Sequence, residues 1–260
     1  MPKGGVARRA TIINHVRESA AGLVLLLDAG GTLFGQSLAA ASKGQVIVEA
    51  MNEMAYDAMT VGESDLQLGL DILRQRAKDM RFPLLSCNVV GAQDGKPIFS
   101  PYTVVERNGM RFGILGVSEP ELGSMWQLAR VARVLDPLSS VHQYLPEVQA
   151  QSDLVMVLSH LGFEMDRTLA QLEPGIQLIV GGKSRRLLSA PEIVENAVIV
   201  QAGYDGEWLG RLDVTLDGQG RVVDPLVEIV TLGPEVVDDP AMATLVDSYK
   251  QRFPSQTPGN

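Results

Sequence analysis

The chain has 260 residues, 45% of them hydrophobic and 20% charged, with a net charge of −9. That length can bury one substantial core, and the acidic balance argues against a nucleic-acid binder, because phosphate backbones demand a basic face. The single cysteine, Cys87, excludes an internal disulfide and a cysteine-rich zinc site, and no apolar run reaches the roughly 18–20 residues that span a bilayer.

The chain opens with MPKGGVARRA, basic but without an apolar stretch behind it, so it carries no signal-peptide pattern and reads as cytoplasmic as it stands. A first helical pattern carries His15. The apolar run 23–28 ends on Asp28 before two glycines and predicts a strand. Helical spacing follows at 45–54, a strand at 57–61, a helix at 65–80 and a strand at 83–89. "YTVVERNGMRFGILGV" places Asn108 and Gly109 between two alternating runs, a hairpin signal. A helix at 138–151 and strands at 153–158, 176–180 and 198–201 come next. A second hairpin signal lies at Asp217 and Gly218, and a final helix at 240–251. The alternation predicts an α/β fold with a mixed β-sandwich, organised as one domain over 1–253, with a disordered tail from Pro254.

Asp28 admits more than one chemistry. "LLLDAGGTLF" resembles the opening motif of the haloacid dehalogenase superfamily, which would make Asp28 a nucleophile toward phosphate. The second aspartate that many members carry two residues later is Gly30 here, and the acidic pair Asp238 and Asp239 sits where a loop enters the last helix. The plain physical reading is that Asp28 closes a turn by accepting from nearby amides. "GGKS" ends like a phosphate-binding loop, but the glycine required five positions before Gly182 is Gln177.

Seven segments spread over residues 4–217 occur in a telling order: "GGVARRATII", "LLLDAGGTLFG", "VEAMNEMAYDAMTVGESDLQLG", "FPLLSCNV", "VLSHLG", "PGIQLIVGGKSRR" and "VQAGYDGEWLGRLDVTLD". Together they resemble the 5′-nucleotidase and UDP-sugar hydrolase branch of the calcineurin-like metallophosphoesterases. The resemblance implies a β-sandwich flanked by helices, in four αββα layers, with two divalent cations at the strand ends that activate water and clamp phosphate. Carried over residue by residue, the bridging aspartate falls at Gly31 and the amide ligand at Glu63. The catalytic histidine falls at Ser64 and the acid that orients it at Gln67. His160 keeps a ligand-type imidazole, while the last two ligand histidines are Lys183 and Arg185. The family's Asp-x-His loop would precede "GGVARRA", so a strand ahead of Met1 is expected, and with it a periplasmic location.

These substitutions lead to the expectation of a non-catalytic relative that uses Lys183, Arg185, Glu63 and His160 to bind a small anionic ligand or a protein partner. No cofactor, nucleic acid or membrane span enters that reading. The alternative is an active phosphoesterase with a rebuilt Mn, Zn or Mg site on His160 and Glu63, with Asp28 or Asp65. Either acid of the pair Glu63 and Asp65 is expected to meet Lys183 or Arg185 beside His160, or else to favour a helix N-terminus.

Overall fold

A computed structural model describes residues 3–35, 37–125, 128, 130–218 and 220–254. In chain order, α1 (Val6–Ser19) precedes β1 (Leu27–Asp28), and α2 (Ser37–Ala41) and α3 (Gln45–Glu53) lead to β2 (Ala58–Thr60). Then come α4 (Leu70–Asp79), β3 (Leu84–Leu85), β4 (Val89–Gly91), β5 (Tyr102–Arg107), β6 (Met110–Val117) and β7 (Ala132–Val134). The second half runs through α5 (Pro137–Gln151), β8 (Leu154–Ser159), α6 (Phe163–Leu172), β9 (Leu178–Gly181), β10 (Glu192–Val194) and β11 (Ala197–Val200). It closes with β12 (Trp208–Leu216), β13 (Val222–Thr231) and α7 (Pro240–Arg252).

A six-stranded sheet in the order β10-β11-β9-β8-β6-β5 forms the centre. Its four inner strands are parallel, and β5 and β10 run antiparallel at its edges. The period-2 alternation of β8 explains how it is covered. Val155 and Val157 face Val141 and Val148 of α5 and Leu169 of α6, whereas Leu154, Met156 and Leu158 face Ala58 of β2 and Leu85 of β3. The parallel sheet β1-β2-β3 lies on that second face, and β12–β13 adds Leu212, Leu216 and Val222 to the same inter-sheet core. Beyond it, Met59 and Val61 meet Ala10 of α1, Met51 of α3 and Leu73 of α4. Helices, sheet, sheet and helices thus stack as four layers, the mixed α/β sandwich that the sequence predicts.

Asn108 and Gly109 turn the β5–β6 hairpin with φ of 51° and 79°, the two positive values a type I′ turn needs. Several boundaries differ from the sequence reading. Among the described residues, the run 23–28 forms strand only at Leu27 and Asp28, where β1 pairs with β2. The run 83–89 divides into β3 and β4 around buried Ser86, Cys87 and Asn88. The helix expected from residue 65 starts at Leu70, because Gly69 at φ 87° ends a separate 3-10 turn, Glu63–Leu66. The periodicity of α6 went unread. The tail expected to be disordered lies, from residue 255, outside the described residues. Among the described residues no helix is long and apolar enough to cross a membrane.

Candidate functional site

The C-terminal ends of β1, β2, β6, β8 and β9 point the same way, and the loops that leave them meet. This is where parallel α/β sheets gather their sites. The loops supply Asp28, Gly31, Glu63, Ser64, Glu119, His160 and Lys183.

His160 follows β8, and its amide donates to the Val117 carbonyl at 2.9 Å. Its Nδ1 lies 2.6 Å from the Ala29 carbonyl, which can only accept, so Nδ1 carries the proton. The ring is buried against the backbones of three loops. A Cβ on Gly31 would stand 3.0 Å from His160 Cε1, one on Gly62 2.6 Å from Nε2, and one on Gly182 2.9 Å from Nδ1. Gly31 also has φ 78°, a conformation that favours glycine. The space an aspartate side chain at position 31 would need is filled by imidazole.

Asp28 does close its turn: Oδ1 accepts from the Gly30 amide at 2.9 Å and the Thr32 hydroxyl at 2.8 Å. Asp65 is fully buried and does more. Oδ2 accepts from the amides of Gly31 at 2.7 Å and Gly62 at 2.9 Å, and Oδ1 from those of Thr32 and Leu33, both at 2.9 Å. One side chain therefore ties the β1 loop to the β2 loop. Burial pushes its carboxyl up from the ordinary value, and the amides of Leu33, Gly62 and Gly31 pull against that. Glu63 is exposed at the start of the 3-10 turn, without a hydrogen bond or ion pair among the described residues. Ser64 keeps a buried hydroxyl with no described partner, and exposed Gln67 only donates its amide to the Ser64 carbonyl at 3.2 Å.

The expected pairing of Lys183 or Arg185 with Glu63 or Asp65 is corrected by the structure. Asp65 has no oxygen to spare after four amides, and Glu63 faces solvent. Lys183 instead places Nζ 2.5 Å from Oε2 of Glu119 and 2.8 Å from Oε2 of Glu121. Glu119 is wholly buried, and neither of its oxygens makes an aligned hydrogen bond among the described residues, so the contact with Lys183 is one of charge. Burial works against the Lys183 ammonium, but Glu119 and Glu121 outweigh it and hold its pKa above the ordinary lysine value. The hydrogen bond from Lys183 in turn lowers the Glu121 carboxyl. Arg185 turns the other way, 5.5 Å above the Tyr204 ring.

Lys183 and Arg185 both have positive φ, 63° and 57°, which is uncommon for residues with a Cβ. Gln201 holds the loop in this shape. Its Oε1 accepts from the Ser184 hydroxyl at 2.7 Å and the Arg186 amide at 3.2 Å, and its Nε2 donates to the Gly182 carbonyl. Glu119 is held just as firmly: Asn88 donates to the Ser118 carbonyl at 2.7 Å and accepts from its amide at 2.9 Å, while the Ser118 hydroxyl donates to the Val61 carbonyl at 2.8 Å. The sequence reading missed Glu119, although "SEPE" directly follows the buried strand β6 and strand ends are where sites gather. We expect Lys183→Met to cost about 2–3 kcal/mol, because it strands the buried Glu119 without its cation. Adding Glu119→Gln should restore more than half of the loss in urea unfolding. An additive double variant would mean the two groups are not coupled.

Among the described residues, no three His, Cys, Asp or Glu side chains come together as a group able to hold a metal ion. Asp238 and Asp239 stand apart from His160's loops in role: the first pairs with Arg8 at 3.6 Å and the second caps α7 through the Met242 amide at 2.8 Å.

No protein-family model matches the chain. Curated relatives include the snake venom 5′-nucleotidase of Naja atra, 29% identical over 98% of this chain and 53% of its own length, and the 5′-nucleotidase of Bos taurus, 28% identical over 96% and 48%. Of the solved structures, a 5′-nucleotidase precursor from Thermus thermophilus superposes with a TM-score of 0.88 at 30% identity, over 96% of this chain and 54% of its own. The calcineurin-like phosphoesterase YfkN of Bacillus subtilis shares the fold, with a TM-score of 0.87 at 23% identity over 97% and 90%. The chain spans about half the length of the curated relatives it matches.

Proposed function

From the premise that this chain belongs to the 5′-nucleotidase branch of the calcineurin-like metallophosphoesterases, we propose that it is a non-catalytic member that binds an anionic ligand. The observation that carries this reading is the packing of His160. Its ring fills the place of the side chain expected at Gly31. The residues present do not fit two divalent cations. Gly31 offers no side-chain donor, Lys183 and Arg185 stand where two ligand imidazoles are expected, and the Lys183 ammonium sits among the strand-end acids, where a fixed positive charge repels a dication. Of the acids that a rebuilt site on His160 and Glu63 would add, Asp28 accepts from the Gly30 amide and Asp65 from the amides of Gly31 and Thr32.

Arg185 is the cation left to meet an anion. It makes no ion pair among the described residues and is steadied by Tyr204 beside the cavity that His160 and Glu63 also line. Its planar fork suits phosphate or carboxylate oxygens. Two measurements test the proposal. After purification at neutral pH, metal content should be substoichiometric, and p-nitrophenyl phosphate with added Mn²⁺ should show no turnover that a chelator removes. Inorganic phosphate at about ten times its dissociation constant should stabilise the chain by about 1.4 kcal/mol, and Arg185→Ala should abolish that gain. Turnover lost with both chelator and His160→Ala would instead establish a working metallophosphoesterase.

A further inference from the structure

The two carboxylates that share the Lys183 ammonium are held very differently. Glu119 is wholly buried, on a loop that Asn88 ties down through Ser118. It has no room to leave, and by itself it neutralises Lys183. Glu121 stands in a short 3-10 turn, Pro120–Ser124, with 67% of its side chain exposed. One oxygen of its carboxylate accepts from Lys183 at 2.8 Å. The cluster thus carries one positive and two negative charges, and the second carboxylate is surplus to the buried pair.

The difference decides what can exchange. A buried carboxylate needs its cation, whereas an exposed ion pair is screened by water and holds weakly. The loop that carries Lys183 is fixed by Gln201, so the ammonium stays on Glu119. What can change is the group on its exposed side. We propose that Lys183 is a second anchor for the anionic ligand and that Glu121 is an internal competitor for it. A phosphate or carboxylate group of the ligand displaces Glu121 from the ammonium, while Glu119 stays in place. This rests on the reading that the chain binds an anion. Glu121 then sets the ligand concentration at which the site fills, because the competent state is the one in which it has swung away. It also sets the ligand class. An alcohol or amide oxygen gains nothing by replacing a carboxylate, whereas an oxyanion makes a charge-assisted bond as strong as the one it breaks. Acidification does not uncover Lys183 instead. The hydrogen bond from Lys183 holds the Glu121 carboxyl below its ordinary value, so at neutral pH it stays charged and bound until ligand arrives.

The test titrates the full chain with inorganic phosphate at neutral pH, by calorimetry. Glu121→Gln should tighten phosphate by about threefold or more, because a neutral amide leaves the ammonium more readily than a carboxylate does. The same change is then made in a chain carrying both Lys183→Met and Glu119→Gln, which has neither the ammonium nor a stranded acid. There it should alter the affinity by less than about twofold, since no competition remains to relieve. Carboxyl ¹³C spectra of the parent give a second readout. The Glu121 resonance, identified by its absence from the Gln variant, should move to the position of a solvated glutamate as phosphate saturates the chain. Unchanged affinity in Glu121→Gln would overturn the proposal while leaving anion binding intact. So would an equal gain in the chain without Lys183, which would mark a general repulsion, or a Glu121 resonance that stays in place at saturation. If neither the parent nor Glu121→Gln binds phosphate, the anion reading itself falls, and this proposal falls with it.

Discussion

Replacing Asp65 with alanine should destabilise the chain by about 4 kcal/mol, lowering its melting temperature by about 10 °C or more. The carboxylate is fully buried and receives four amides from two loops, so its loss leaves four donors without an acceptor. A bond to a charged group is worth about 1.5–3 kcal/mol net; the four share one side chain and water can enter the gap, so the sum is smaller than four such bonds. Asp65→Asn should recover only part of the loss. The amide's NH₂ must face either the Gly31 and Gly62 donors or the Thr32 and Leu33 donors, donor against donor. Thermal unfolding of both variants decides it: a loss below about 1 kcal/mol for Asp65→Ala, less than one such bond, would mean the two loops are held by something else. Hydrogen exchange at residues 31–33 should accelerate in step with the loss of stability.

The second large effect is a pH dependence. Asp166, in the first turn of α6, lies against Gly181 at the end of β9, where its Oδ2 has no described partner and Oδ1 accepts from the Ser159 hydroxyl. Burial pushes its carboxyl up from the ordinary 3.8 to about 7, and the Ser159 bond opposes that only in part. The folded chain therefore holds this proton more tightly than the unfolded chain does. The stability it contributes is complete below about pH 4 and is lost as pH rises to about 7, at about 1.4 kcal/mol per pH unit and about 4 kcal/mol in all. Asp166→Asn keeps an acceptor for Ser159 and cannot ionise. The stability of the variant minus that of the parent should grow by about that amount between about pH 4 and pH 8, measured by urea unfolding at each pH. A difference that stays flat would place the Asp166 carboxyl at its ordinary value.

Much of the architecture could be read before any coordinate was known. Asn108 and Gly109 announced a type I′ turn because few other pairs tolerate two positive φ values. The apolar runs around 153–158 and 176–180 announced strands, and their lack of polar alternation fits β8, whose faces are covered by α5 and α6 on one side and by β2 and β3 on the other. Asp28 as the closure of a glycine-rich turn was legible for the same reason: its partners, Gly30 and Thr32, lie within four residues.

What the sequence by itself determined, then, were the elements, their rough order in layers and the substituted residue types at the strand ends. The tertiary structure decided the partners. Lys183 reaches back to Glu119 and Glu121, about sixty residues away, because the loops after β6 and β9 leave the same end of one sheet. Asp65 leaves the helix it was expected to begin because three amides of the distant β1 loop and that of Gly62 in its own turn bind it. β1 is short because a strand exists only where a neighbour pairs with it, and neither spacing nor composition says whether that neighbour is present. Local patterns record what a residue does with its own turn or face; charge pairing, loop tying and strand pairing depend on separations that the chain closes only when it folds.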